Sequence, residues 1–350
     1  MALLAIAKIH LKRKTVHKKT IYVINQLKRP EEIKTLRKVY GKNFIAISLY
    51  ESHEKRKHFL MKNNPGLENK IDKLIKTDAN EESGKYGQKM QDTFSDADYF
   101  IEMDMLEKNL RRFIDILFGY LYHTPTKAEL NMAYAWNASL RSADLSRQVG
   151  AVLTNDNGDI IASGCNEAPK VGGGIYWEGD HPDHRDFRLE QEPNDYWKED
   201  LIKEFIKDAC NLKNEQAISE KYDKLNKKPR PRIFDITEFQ RAVHAETAAI
   251  CDAARRGIPI KGSTLYCTTF PCHLCTKHII AVGIKRVIYI HPYPKSKTGE
   301  LFEHLVSIRL HKHTIPDKVS FEPFMGVAPR RMTKVYGFPP DTRKEEKRET

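Results

Sequence analysis

No run of about 18 apolar residues occurs anywhere in the 350-residue sequence, so no membrane-spanning helix and no membrane partner are expected. Cysteine is scarce: Cys165, Cys210, Cys251, Cys267, Cys272 and Cys275 are all there are. They are too sparse for a disulfide scaffold and fit a reducing compartment, so the cytoplasm is the expected location. No secretory leader is expected either. A leader places basic residues before its apolar run, whereas here the apolar residues come first and Lys8, Lys12, Arg13 and Lys14 follow. An amphipathic helix with a basic flank fits that order. No internal repeat is visible, and no phosphate-binding loop of the form G-x-x-x-x-G-K-[ST] is present. The nearest approach, Gly257–Thr264 (GIPIKGST), lacks the Lys after its second Gly and lies between a helix and a strand, the reverse of the required order. Phosphotransfer is therefore not expected.

Acidic residues are in deficit, 47 against 59 basic ones, giving a formal charge of +12. That balance suits an anionic partner: a nucleotide, a nucleic acid or an acidic surface. A solvated basic surface would account for it equally. The basic runs near Lys12 and Lys227 lack the interleaved aromatics that stack bases. Apolar residues make up 40%, enough for a real core, and the length suits about two domains.

The first unit, residues 1–122, reads as α/β. Residues 2–13 look helical, and Ile21–Ile24 looks like a strand. Pro30 opens a helix that Gly41 ends, and Phe44–Leu49 is a continuous apolar strand. Residues 62–95 are polar and suggest a helix between loops. Ala97–Ile101 reads as a short strand and Leu110–Leu121 as a helix. The break falls at His123–Lys127 (HTPTK). The second unit, residues 125–338, begins with a helix from Ala128 to about Leu140. A hairpin follows, with strands at Val149–Thr154 and Asp159–Gly164. Residues 166–237 form a charged, Pro- and Gly-containing insertion. Glu238–Arg256 then reads as a helix, Ser263–Cys267 as a strand, Cys272–Val282 as a helix, and Arg286–Ile290 and Val319–Glu322 as strands. The tail, 341–350, has no apolar anchor and reads as disordered.

The chemistry concentrates in His244-Ala245-Glu246 and Pro271-Cys272-His273-Leu274-Cys275. Cys272 and Cys275 are three apart at a helix start, so both thiolates face one ion. With His244 they make three protein ligands for Zn²⁺. A fourth position stays open for water, whose pKa zinc lowers toward about 7. Glu246 is not needed as a ligand and is placed to shuttle protons. A zinc staple without turnover is the competing reading, but a staple normally uses four protein ligands. The backbone N–H of Cys272, at a helix N-terminus, is suited to a developing oxyanion.

This H-x-E…P-C-x-x-C pattern is the signature of zinc nucleobase deaminases, and the sequence resembles the cytidine and deoxycytidylate deaminases. The resemblance includes Arg141-Ser142, Arg147–Val152 (RQVGAV), Gly164–Pro169 (GCNEAP, with Cys165 in place of an aromatic residue) and Tyr293–Ser296 (YPKS). A narrower likeness, to bacterial anti-phage deaminases with an N-terminal kinase-like domain, rests on Ile24–Arg37, Tyr40-Gly41, Asp115–Gly119 and Phe321–Arg331. The resemblance implies a three-layer α/β deaminase fold with a mixed five-stranded sheet, preceded by a partial kinase-like domain without its phosphate loop. It implies hydrolytic deamination of a cytosine deoxynucleotide, dCMP or dCTP, serving nucleotide depletion during phage infection. It further implies that Asn166 binds the nucleotide sugar and that Tyr293 covers the base. A homo-oligomer and a regulatory nucleotide or RNA are the expected partners beside the substrate. Gly172-Gly173-Gly174 offers backbone N–H groups to a phosphate but suits a flexible loop as well. The resemblance also allows a second zinc site at Cys165, His181 and His184, although no C-x-x-C or H-x-x-x-H spacing supports it. Two rival functions stand beside the main one. A polynucleotide deaminase would explain the charge. A non-catalytic nucleotide sensor would have no use for Glu246.

Overall fold

The computed structural model describes residues 1–13, 20–64, 66, 68–79, 89–227, 231–308, 315–339 and 342–344. The first part of the chain carries α1 (Ala2–Arg13), α2 (Pro30–Tyr40), β1 (Ile47–Tyr50), α3 (His53–Asn63), α4 (Glu68–Ala79), α5 (Met90–Ser95), β2 (Tyr99–Glu102) and α6 (Leu106–Leu117). The second part carries α7 (Lys127–Ser139), β3 (Gly150–Thr154), β4 (Ile160–Cys165), α8 (Pro193–Ala209), α9 (Glu215–Leu225), α10 (Ala245–Arg255), β5 (Thr264–Thr269) and α11 (His273–Ala281). It closes with β6 (Arg286–His291), α12 (Thr298–Leu301), β7 (Val306–Ile308), β8 (Val319–Pro323), β9 (Gly326–Val327) and α13 (Met332–Tyr336). No helix among the described residues is long and apolar enough to cross a membrane.

The main sheet has the order β4-β3-β5-β6-β8-β7. β3 runs antiparallel to both β4 and β5, and the remaining pairs are parallel. The sheet is mixed, as expected, but has six strands rather than five. The extra one, β7, is a three-residue edge strand, too short to show alternation. Side chains alternate across the sheet with period two. Ala151, Leu153, Leu265, Cys267 and Val287 pack toward Ala245 and Ala249 of α10 and Ile279 of α11. Val152, Tyr266, Ile288 and Ile290 pack toward Met132 and Ala135 of α7. The result is three layers, helix on sheet on helix. Two glycines let helices lie close against the sheet. A Cβ at Gly150 would lie 2.0 Å from the Ala135 carbonyl oxygen on α7, and one at Gly164 would lie 2.5 Å from the Ala245 carbonyl oxygen on α10.

The second sheet, β1-β2-β9, draws from both ends of the chain. β1 and β2 are parallel, and β9 adds antiparallel to β2. The two units are fused at this seam. Ala97 and Phe100 share a cluster with Met132, Ile288, Ile290 and Phe324. Glu129 is fully buried and accepts from both terminal nitrogens of Arg112, each at 2.8 Å, and from Val327 N at 2.8 Å. It also closes a capping box with Thr126, which starts α7 at the expected break. Asp98 accepts from Ala46 N at 2.9 Å and pairs with Arg37 and Arg330.

Several elements differ from the sequence reading. Ile21–Ile24 is not a strand, and the strand expected at Phe44–Leu49 begins only at Ile47. The insertion holds α8 and α9, whose Ile202, Ile206, Ile218 and Tyr222 close a small core over Phe234. The helix expected from Glu238 begins only at Ala245, because Val243 is spent on an antiparallel bridge to Glu167. Of the tail, only 342–344 are described, where Arg343 Nε donates to the Leu121 carbonyl at 2.9 Å.

Candidate active site

Two helix starts meet at one point. His244 is the N-cap of α10 and Cys272 the N-cap of α11, both in extended backbone conformation. The Glu167–Val243 bridge fixes the approach to His244 through two backbone hydrogen bonds, at 3.3 and 3.0 Å. The parallel β5–β6 pair sets the approach to Cys272, and Phe270 N donates to the His291 carbonyl at 2.7 Å. His244 Nδ1 lies 3.3 Å from Cys272 Sγ and 3.3 Å from Cys275 Sγ. All three ligand atoms fall within 4.8 Å of one another, and they form the one such cluster among the described residues. Tetrahedral zinc with the usual bond lengths separates such atoms by roughly 3.6–3.8 Å. One imidazole and two thiols at these separations therefore fit Zn²⁺ with a small outward adjustment. Glu246 follows one residue into α10 and is 4% exposed.

The electrostatics match the donor set. A hydrogen bond from the Cys275 thiol, opposed by burial and joined by one from His244, pulls the Cys272 thiol down to about 4. His244 is lifted to about 9, chiefly by its hydrogen bond to Cys272. The Cys275 thiol is pushed up by donating to Cys272 and by burial. Cys272 Sγ also accepts from Cys275 N at 3.4 Å, and Cys275 Sγ from Thr247 Oγ1 at 3.5 Å. Burial raises Glu246 above the usual carboxylate value, so its protonated form is accessible nearer neutrality. Cys267, on β5 beside Glu246, is buried, and burial holds its thiol protonated.

The substrate-side residues are placed differently. Asn166 is buried, and its carboxamide secures the loop before β3: Nδ2 donates to the Arg147 carbonyl at 2.8 Å, and Oδ1 accepts from Val149 N at 2.7 Å. One N–H and one lone pair of that side chain remain for another partner. Tyr293 packs half-buried against the main core cluster. Its phenol is raised by burial first, then by the charges of Cys272 and Asp235. The segment after it is tied down by Ser296 Oγ, which donates to the Pro271 carbonyl at 2.9 Å, and by a Lys295–Asp235 ion pair to the insertion. Gly172, Gly173 and Gly174 all have positive φ and form a tight loop, with Lys170 N donating to the Gly174 carbonyl. Cys165, His181 and His184 do not join in a ligand cluster among the described residues: Cys165 is buried, and His184 stacks edge-on against Tyr176. The sequence reading missed Gln240, whose Oε1 lies 3.0 Å from His244 Nε2. Its four-residue spacing from His244 was the available signal. The reading also missed Thr247.

Residues 125–291 match the family model of the cytidine and deoxycytidylate deaminase zinc-binding region. Over 173 residues the chain is 32% identical to the deoxycytidylate deaminase of Enterobacteria phage T4, an alignment covering 49% of this chain and 82% of that protein. Over 57 residues it is 47% identical to the deoxycytidylate deaminase of Enterobacteria phage T2, covering 16% of this chain and 30% of that one. The solved dCMP deaminase of cyanophage S-TIM5, in complex with dCMP and dUMP, aligns with 58% of this chain and 99% of its own at 21% identity. Its TM-score of 0.34 is too low for that superposition to bear on the site.

Proposed function

The chain belongs to the cytidine and deoxycytidylate deaminase family, and from that premise we propose that it removes the 4-amino group of dCMP, dCTP or both by hydrolysis. It is an enzyme of that family, and its cofactor is Zn²⁺. The observation that carries the reading is the convergence of His244, Cys272 and Cys275, with the buried Glu246 outside that ligand cluster. Three protein ligands suit a catalytic site better than a staple, which uses four. Bound there, zinc supplies a Lewis acid that acidifies water to a pKa of about 7.

The chain's own residues do the rest. Glu246 takes a proton from the attacking water and gives it to ring N3 as the water oxygen bonds to C4. It then moves the second proton to the amine, the C4–N bond breaks, and ammonia leaves with the uracil nucleotide. Burial suits Glu246 to this double duty, because its raised pKa lowers the cost of holding the proton between transfers. We assign sugar binding to Asn166, through its remaining N–H and lone pair, and base covering to Tyr293, where stacking is worth about 1–3 kcal/mol. What supports the second assignment is the packing of Tyr293 against the core that carries α10, with its phenol close enough to feel the charge of Cys272.

We further read residues 1–122 as a partial kinase-like α/β domain without a phosphate loop, 125–338 as the deaminase unit with its 166–237 insertion, and the role as nucleotide depletion during phage infection. The parallel β1–β2 pair with flanking helices supports the first of these. The test is a substrate panel: zinc-loaded chain with dCMP, dCTP, CMP, cytidine and single-stranded DNA. Uracil product from the two deoxynucleotides is the expected result, and product from DNA alone would overturn the substrate assignment.

A further inference from the structure

We propose that Gln240 is a positioning residue for the metal site, selecting the His244 tautomer that presents Nδ1 to zinc; this rests on the zinc assignment above. The geometry is direct. Gln240 Oε1 lies 3.0 Å from His244 Nε2, while His244 Nδ1 lies 3.3 Å from each sulfur. A carbonyl oxygen only accepts, so Nε2 must carry the proton and donate it. With that proton on Nε2, the neutral ring has its lone pair on Nδ1, pointing at both sulfurs. The opposite tautomer would set a lone pair against a lone pair at Gln240 and an N–H where the ion must sit. A hydrogen bond on the far nitrogen is the usual way a ligating imidazole is oriented and made more basic.

Gln240 is held for this task by its backbone. It lies in the non-helical segment before α10, where its N–H donates to the Thr237 carbonyl at 3.2 Å. The next residue, Arg241, is anchored to the insertion through Asp186 Oδ1 and the His184 carbonyl, each at 2.9 Å. Val243 then pairs with Glu167. The backbone at Gln240 is thus held on both sides, and the insertion that supplies Asp186 and His184 helps to place the residue that meets the imidazole. This gives the shortened α10 a purpose: a helix running through Gln240 would lose the strap that Arg241 and Val243 make.

The experiment compares the full chain with Gln240→Ala and Gln240→Glu. Zinc affinity is measured by chelator competition, and the His244 ring nitrogens by ¹⁵N NMR. The parent should bind one zinc with Nε2 protonated. Gln240→Ala should bind about 10–100-fold more weakly, with an unchanged circular dichroism spectrum. Gln240→Glu keeps an acceptor at the same reach and should restore affinity. Parent-like affinity in Gln240→Ala, or weak binding in both variants, would overturn the role of Gln240. A parent that binds no zinc would instead overturn the zinc assignment on which it rests.

Discussion

Replacing Phe100 by Ala tests how far the two units are one folded body. Phe100 sits on β2, in the N-terminal unit, and is 2% exposed. Its ring lies 5.7 Å from Phe324, which follows β8 of the deaminase sheet, and 5.4 Å from Phe94 on α5. The same cluster holds Ile288 and Ile290 of β6, the strand that runs from the core to the Tyr293 segment. Truncating a buried Phe costs about 3–5 kcal/mol through lost burial and the cavity left behind. With a urea slope of about 3 kcal/mol/M, the midpoint should fall by roughly 1–2 M. The assay is urea unfolding followed by tryptophan fluorescence and by zinc release to a chromogenic chelator. Both curves should shift together. Every tryptophan, Trp136, Trp177 and Trp197, lies in the deaminase unit, so zinc-release and fluorescence midpoints that both stay in place would refute the fused core and restore an independent deaminase domain.

Other consequences follow from the site. Glu246→Ala should keep one zinc per chain and lose about 10²–10⁴ in turnover, and substantial residual deamination would move the proton shuttle to another group. Cys275→Ala should lose zinc and lower the unfolding midpoint, because one ion ties α10 to α11; metal analysis still finding one zinc per chain would break the ligand set. Zinc uptake by metal-free protein at pH 7 should release about two protons, one from His244, whose pKa is raised to about 9, and one from the Cys275 thiol, which is also raised. Cys272, drawn down to about 4, is already a thiolate and adds none. Affinity should therefore climb with pH below 9, by roughly 100-fold per unit while two protons are displaced. Calorimetry in buffers of different ionisation enthalpy counts them, and a count near zero would contradict the assigned protonation states.

The metal site was legible because its signal is local. His244 and Glu246 share one helix start, Cys272 and Cys275 another, and an open-position zinc site needs little else. The main sheet was legible through its buried apolar strands and the Asn155–Gly158 turn between β3 and β4. What escaped depends on partners distant in sequence. β9 is two residues long and exists only because β2 offers an edge. The full burial of Glu129 could not be read from a capping box alone, since Arg112 and Val327 complete its shell. The helix expected from Glu238 stopped short because a backbone bridge to Glu167 outcompetes another turn of helix there. Asn166 has a structural duty that its motif did not announce, since its carboxamide holds the loop before β3.

The central claim is hydrolysis at C4, and oxygen isotope transfer tests it most directly. The zinc-loaded full chain is incubated with dCMP, and separately with dCTP, in ¹⁸O-water, and the products are read by mass spectrometry with an ammonia assay alongside. The uracil deoxynucleotide should carry one ¹⁸O, with one ammonia released per product. A chain that holds one zinc yet returns both nucleotides unchanged would contradict that claim.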